Sequence, residues 1–144
     1  MLLESMPIGA MGPEERRARG LLSAPEERLG HAAVPEMSLT ENALLTVSTR
    51  ENLLRNGFID WSRTRSFAAR IIGDFAVRTP GTETAARALS GGNLQKFVIG
   101  REVLQSPRAL IVNQPTWGVD AAAAAAIRQS LIDLAAGGAA LVVI

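Results

Sequence analysis

The chain has 144 residues, a formal net charge of +1, one histidine and no cysteine. That length supports one domain with a modest core, and the missing cysteines exclude a disulfide framework and thiolate metal sites, which suits a cytosolic protein. The near-neutral balance argues neither for nor against nucleic acid, and no apolar run approaches the ~20 residues that a membrane helix needs.

Residues 1–11 show no clear period, and with no positive n-region or long apolar core the start of the chain predicts no signal peptide. Gly12-Pro13 opens a short helix whose acidic residues come early and whose arginines come late, as the helix dipole favours. Arg16, Arg17 and Arg19 read as one solvated face of it. Gly20 ends that helix, Leu21 to Ala24 is a candidate strand, and Pro25-Glu26-Glu27-Arg28 turns away from it. Gly30 to Met37 is a loop, with His31 as an ordinary loop residue. Ser38 or Thr40 caps a helix expected from Glu41 to about Leu54, which Asn56-Gly57 stops. A further helix covers Ser62 to about Phe75, with Phe67, Ile71, Ile72 and Phe75 on one apolar stripe and Trp61 as a core or rim residue. Arg78 to Ala88 is a linker.

Ser90-Gly91-Gly92 then stands directly before an apolar-periodic run through Leu94, Phe97, Val98, Val103 and Leu104. Serine is a good N-cap, and two glycines let an anion approach the backbone with no Cβ in the way. With free N–H groups and the positive dipole end, such a helix start is a ready phosphate site. The helix ends near Ser106-Pro107, and Arg108 to Val112 is a short buried strand. Asn113-Gln114-Pro115-Thr116 lies at its carboxyl end, where open α/β sheets bind ligands. An alanine-rich helix follows Asp120, Gly137-Gly138 caps it, and Ala139 to Ile144 is expected to be a buried strand. A core strand with nothing after it is an unusual close for an α/β domain, so both ends of the sequence read as cut.

Leu-Ser-Gly-Gly, a helix, a strand ending in two polar residues with Pro-Thr, and then Gly-Val-Asp form an order more specific than any single piece. That order resembles an ATP-binding cassette (ABC) ATPase, and the string LSGGNLQK resembles the second cassette of tandem-cassette importers for sugars and nucleosides. By this resemblance Ser90, Gly91, Gly92 and Asn93 fall in the signature motif, Asn113-Gln114 close the Walker B strand, and Gly118, Val119 and Asp120 form the D-loop. Glu26 takes the Q-loop position, usually a glutamine that senses Mg²⁺ and the γ-phosphate. Pro25-Glu26-Glu27-Arg28 is close to the Pro-Glu-Asp-Arg of that subgroup, although a solvated charged turn accounts for it equally well. The fold implied is α/β, a partial P-loop NTPase (ABC cassette) with a helical subdomain and with the Walker A portion missing. Residues 1–28 would be the end of the core subdomain and the Q-loop region, and 29–88 the helical subdomain. Residues 89–144 would carry the signature helix, Walker B strand, D-loop, and the helix and strand after it.

ATP hydrolysis in this family needs a GxxxxGK[ST] loop, a Walker B aspartate on Mg²⁺ and a glutamate that orients water. The chain contains no GxxxxGK[ST], and Asn113-Gln114 stand where Asp-Glu is expected. Asparagine offers no anion to Mg²⁺ and glutamine is a poor base. The family's catalytic histidine would fall just beyond Ile144. Alone, the chain is not expected to hydrolyse ATP. The resemblance instead implies a fragment of an importer's ATP-binding subunit that supplies its signature in trans to ATP and Mg²⁺ shared with a partner cassette. The other implied partners are transmembrane permease subunits, with no nucleic acid, and the implied place is the cytoplasmic face of the inner (cell) membrane, held peripherally. Gln-Pro-Thr after the strand also resembles some nucleoside importers. The alternatives are a truncated, non-catalytic remnant and a DNA-repair-type ABC ATPase, whose long coiled coil would need sustained heptads that Leu29 to Ala88 lacks.

Overall fold

The computed structural model describes residues 2–144. Its centre is a three-stranded parallel sheet in the order β3-β6-β7, formed by Leu21–Ala24, Ala109–Val112 and Ala140–Val143. Leu22 pairs with Leu110, and Leu110 in turn with Leu141. Parallel pairing requires a crossover between neighbours, and α5 (Ala121–Ala136) makes the one between β6 and β7. Leu22, Leu110, Val112, Ile127 and Leu131 form the core between sheet and helices, together with Phe97 and Val98 of α4 (Gly91–Val103).

Before the sheet, β1 (Leu2–Leu3) and β2 (Met6–Pro7) make a small antiparallel hairpin. Glu4 and Ser5 at its tip hold positive φ, and Glu4 forms an ion pair with Arg108. Strands of two residues leave no period to read, which is why the sequence shows none there. Helix α1 (Pro13–Ala18) then leads into β3. Arg17 departs from the solvated face expected of it: its Nη2 lies 2.6 Å from Glu102 Oε2, a carboxylate with no solvent exposure. The reason is tertiary, because α4 brings an acid against this side of α1.

Between β3 and α4 lie α2 (Leu39–Val47) and α3 (Trp61–Asp74). Ser38 caps α2 reciprocally: its Oγ accepts from Glu41 N–H at 3.1 Å, and its N–H donates to Glu41 Oε2 at 2.8 Å. The helix is shorter than expected, ending at Val47 instead of near Leu54. Leu54–Arg55 and Phe58–Ile59 form a second hairpin, β4 and β5, around Asn56 (φ 51) and Gly57 (φ 83). Two successive positive φ values are what a type I′ turn demands, so Asn-Gly here turns a hairpin instead of stopping a helix. Arg50, freed from the helix, donates to the carbonyls of Arg17, Ala18, Gln105 and Ser106, clamping the ends of α1 and α4.

Asp60 caps α3 by accepting from Arg63 N–H at 3.0 Å, and Phe67 and Ile71 are buried as the stripe predicts. Trp61 is 44% exposed, a rim residue. A Cβ on Gly100 would come within 2.6 Å of the Phe75 ring, so the glycine is what lets the end of α3 rest on α4. The last strand corrects another expectation. β7 is not buried: Val142 is 52% and Val143 56% exposed, because, of its four residues, Leu141 is the one that packs against the core.

The end of α4 holds a buried charge cluster. Glu102 accepts from Arg17, from Arg101 Nε at 3.0 Å and from Thr46 Oγ1 at 3.3 Å. Arg101 also donates to Asn42 O at 3.0 Å and Ala32 O at 2.8 Å. Burial pushes the Arg101 guanidinium down from its ordinary range and the Glu102 charge opposes that shift. Removing one member of such a group leaves the other charges buried and unpaired. Glu102→Ala is therefore expected to lower stability by about 3–5 kcal/mol, read from urea unfolding midpoints; a loss below about 1 kcal/mol would mean that water serves the two guanidinium groups as well.

Candidate functional site

The start of α4 is built by two side chains, those of Ser90 and Asn93. Ser90 is the N-cap in extended conformation, and its Oγ accepts from Asn93 N–H at 3.4 Å and Asn93 Nδ2 at 2.9 Å. Asn93 Oδ1 in turn accepts from Arg78 N–H at 2.8 Å. With both acceptor positions of the hydroxyl taken, its proton is left to donate outwards. The first N–H groups of the helix have no intrahelical acceptor, so those of Gly91 and Gly92 point the same way. Gly92 is bounded by Val119 and Asp120, each 3.7 Å from where its Cβ would be.

The segment after β6 comes to the same place. Asp120 caps α5, its Oδ1 accepting from Ala123 N–H at 2.8 Å, and this bond holds its carboxyl below the usual aspartate range. Gly118 has φ +63. The signature and D-loop positions assigned from the sequence, Ser90 to Asn93 and Gly118 to Asp120, thus share one face.

Glu26 and Asn113 meet separately at the carboxyl end of the sheet, where Asn113 Nδ2 donates to Glu26 Oε2 at 3.4 Å. Asn113 N–H is held by Ala24 O at 3.0 Å and Gln114 N–H by Ile144 O at 2.8 Å. Gln114 takes a positive φ of 47° that a non-glycine residue seldom adopts. One carboxylate already engaged by an amide N–H, with a second amide beside it, does not fit a resident Mg²⁺, which wants carboxylate or water oxygens in an octahedron.

Arg28 lies between the two places. Its Nε donates to Gln95 Oε1 at 2.9 Å and its Nη2 to the Trp117 carbonyl. Gln95 Nε2 donates to Pro115 O at 3.0 Å. Glu26, Arg28, Leu89, Gly91 and Trp117 line a groove of about 650 Å³ here. Sequence reasoning named neither Gln95 nor Glu102. Both are polar residues inside the buried face of α4, and that position is a signal in itself, since buried polar groups must find partners. His31 Nδ1 pairs with Glu27 Oε2 at 2.7 Å on the surface, as a loop residue would.

No protein-family model matches the sequence. The ribose import ATP-binding protein RbsA 1 of Rubrobacter xylanophilus is 39% identical over 145 residues, covering 100% of this chain. A putative ribose/galactose/methyl galactoside import ATP-binding protein of Agrobacterium fabrum is 43% identical over 87% of the chain. The nucleoside import ATP-binding protein NupA of Lactococcus lactis is 34% identical over 99% of it. The chain spans only 29%, 25% and 28% of those relatives' own lengths. Among solved structures, a dimeric ATP-binding cassette in a post-hydrolysis state with ADP and phosphate superposes with a TM-score of 0.72. That match has 19% identity and covers 97% of this chain and 59% of the other. The chain is therefore a homologue of sugar and nucleoside import ATP-binding proteins of ABC transporters, and it has the fold of part of an ATP-binding cassette.

Proposed function

We propose that these residues serve within the ATP-binding subunit of an ABC importer for a sugar or a nucleoside, where the start of α4 clamps ATP held by a second cassette. The observation that carries this is the contrast between two sites on one chain. At Ser90 a hydroxyl proton and the free N–H groups of Gly91 and Gly92 point outwards, at the end of a helix whose dipole is equivalent to about half a positive charge. At Asn113 and Gln114 the groups needed to hold Mg²⁺ and orient water are replaced by amides. The chain can therefore stabilise the terminal phosphate of a nucleotide but not turn over one of its own. The Walker residues, Mg²⁺ and attacking water come from the partner cassette. Ser90 donates a hydrogen bond to the phosphate oxygen, Asn93 holds the Ser90 hydroxyl in that orientation, and Asp120 keeps the neighbouring segment in place by capping α5.

The names of the relatives support a sugar or nucleoside as the solute. Among the described residues no helix is long and apolar enough to cross a membrane. The proposed attachment to the cytoplasmic face of the cell membrane is through transmembrane permease subunits. The interval from Leu29 to Ala88 folds as α2, a hairpin and α3, which favours an importer over the long coiled coil of a DNA-repair cassette.

Two expectations test this. In the full-length protein assembled with its permease, Ser90→Ala with Gly92→Asp should abolish ATP turnover, since the new carboxylate would face both Asp120 and the incoming phosphate; surviving turnover would sink the signature assignment. Asn113→Asp with Gln114→Glu should change the ATPase rate only modestly, because the site that turns over lies on the partner. A doubling would show that the second site is otherwise complete.

A further inference from the structure

We propose that Arg28 and Gln95 act together as a positioning pair that sets where the first turn of α4 stands relative to the loop after β6. The inference rests on the clamp reading above and goes beyond it, since neither side chain is assigned to the phosphate. Gln95 lies four residues after Gly91, one turn further along the same face of α4, and is 1% exposed. Both ends of its amide are used: Oε1 accepts from Arg28 Nε at 2.9 Å and Nε2 donates to Pro115 O at 3.0 Å. Arg28 completes the bridge by donating to the Trp117 carbonyl. Three segments distant in sequence, the turn after β3, helix α4 and the loop 115–118, thus meet through two side chains.

Two glycines make room for the guanidinium. A Cβ on Gly91 would lie 2.7 Å from Arg28 Nη1, and one on Gly118 would lie 3.2 Å from Nη2. Gly91 thus serves more than the approach of an anion, since its missing Cβ is also where Arg28 passes. Arg28 forms no ion pair with a carboxylate among the described residues. Its partners are a side-chain amide oxygen and a backbone carbonyl, so the planar fork works by geometry more than by charge neutralisation. A lysine ammonium, as a single point donor on a flexible stem, does not reproduce a fork aimed at two acceptors.

The predicted signature of positioning is a change in the rate of the bound complex, because misplacing a group near the chemistry slows turnover without loosening nucleotide on the partner. In the assembled full-length importer, Arg28→Gln and Gln95→Leu are each expected to lower kcat about tenfold with KM for ATP unchanged. The double variant should be no slower than the slower single one, as expected of residues that act as a unit. Arg28→Lys should recover little. Additive losses in the double variant, or full recovery with lysine, would overturn the pair, the second because charge alone would then suffice. Ser90→Ala measured alongside separates the two levels of the argument. If Ser90→Ala turns over normally, the clamp itself fails; if it is slow while Arg28→Gln is not, only the bridge fails. Should Gln95→Leu not fold, amide hydrogen exchange on the assembled full-length importer decides. Arg28→Gln should speed exchange at Leu94 and Gln95, the first amides of α4 with backbone acceptors, while Val98 and Ile99 stay as protected as in the parent, and unchanged exchange at Leu94 and Gln95, or a uniform change across α4, would overturn the inference.

Discussion

A carboxylate shut away from water, Glu102, is the constraint that the arrangement of helices depends on. Left alone in an apolar interior an ionised carboxylate would be prohibitive, so its position dictates what surrounds it. Arg17 of α1, Thr46 of α2, and Arg101 and Gln105 of α4 and its end all donate to it. Arg101 has its own needs and meets them at the carbonyls of Ala32 and Asn42. The donors come from three stretches of chain, α1, α2 and α4 itself, and the requirement to satisfy one anion draws those stretches together. Such a cluster is weak grounds for high stability, because an apolar replacement can do as well. Its consequence is geometric: α1 and α2 can dock on α4 in few other ways that leave no charge unpaired.

That fixes the far end of the helix whose near end carries Ser90. Helix α4 has 13 residues, about 20 Å at the rise of an α-helix. It is anchored at its carboxyl end by charge, in the middle by Phe97 and Val98 against the sheet, and near its start by Gln95. Only the first turn is left with unspent donors. The packing that buries the helix and the exposure that makes it useful follow from the same placement, with polar bonds to Arg28 and Asn93 at the boundary between the two.

Much of this was legible along the chain. The cap at Ser90, the strand ending at Val112 and the helix after Asp120 are local events, decided by residues within a few positions of one another, and the sequence carries their signals directly. The hairpin at Asn56-Gly57 was not read, because a two-residue strand has no period and Asn-Gly also ends helices. The exposure of β7 depends on what packs against it, a long-range property that an apolar pentad such as Ala140 to Ile144 cannot disclose. Arg17 and Arg28 look like ordinary surface residues in charged stretches, and the place of Gln95 and Glu102 on the buried face of α4 signals a need for partners without naming them. Their roles come from partners between 20 and 89 positions away, and no pattern within one element contains that information.

The same distinction bears on the amides at the end of β6. Taken alone, Asn113 and Gln114 look like losses from an Asp-Glu pair. Beside Glu26 they are consistent with their surroundings. An aspartate at 113 would set a second carboxylate within about 3.4 Å of the Glu26 oxygen, and like charges that close raise each other's pKa and repel unless a cation lies between them. Asparagine replaces that repulsion with a donated hydrogen bond, so the strand end closes without a metal. Glu26 and Asn113 therefore belong together. The acid stands on the turn that faces the strand, where its hydrogen bond to Asn113 links the two segments. The strand end thus meets its own hydrogen-bonding needs, while in the proposed clamp the start of α4, with Ser90 and the two glycines, keeps its donors free for a phosphate.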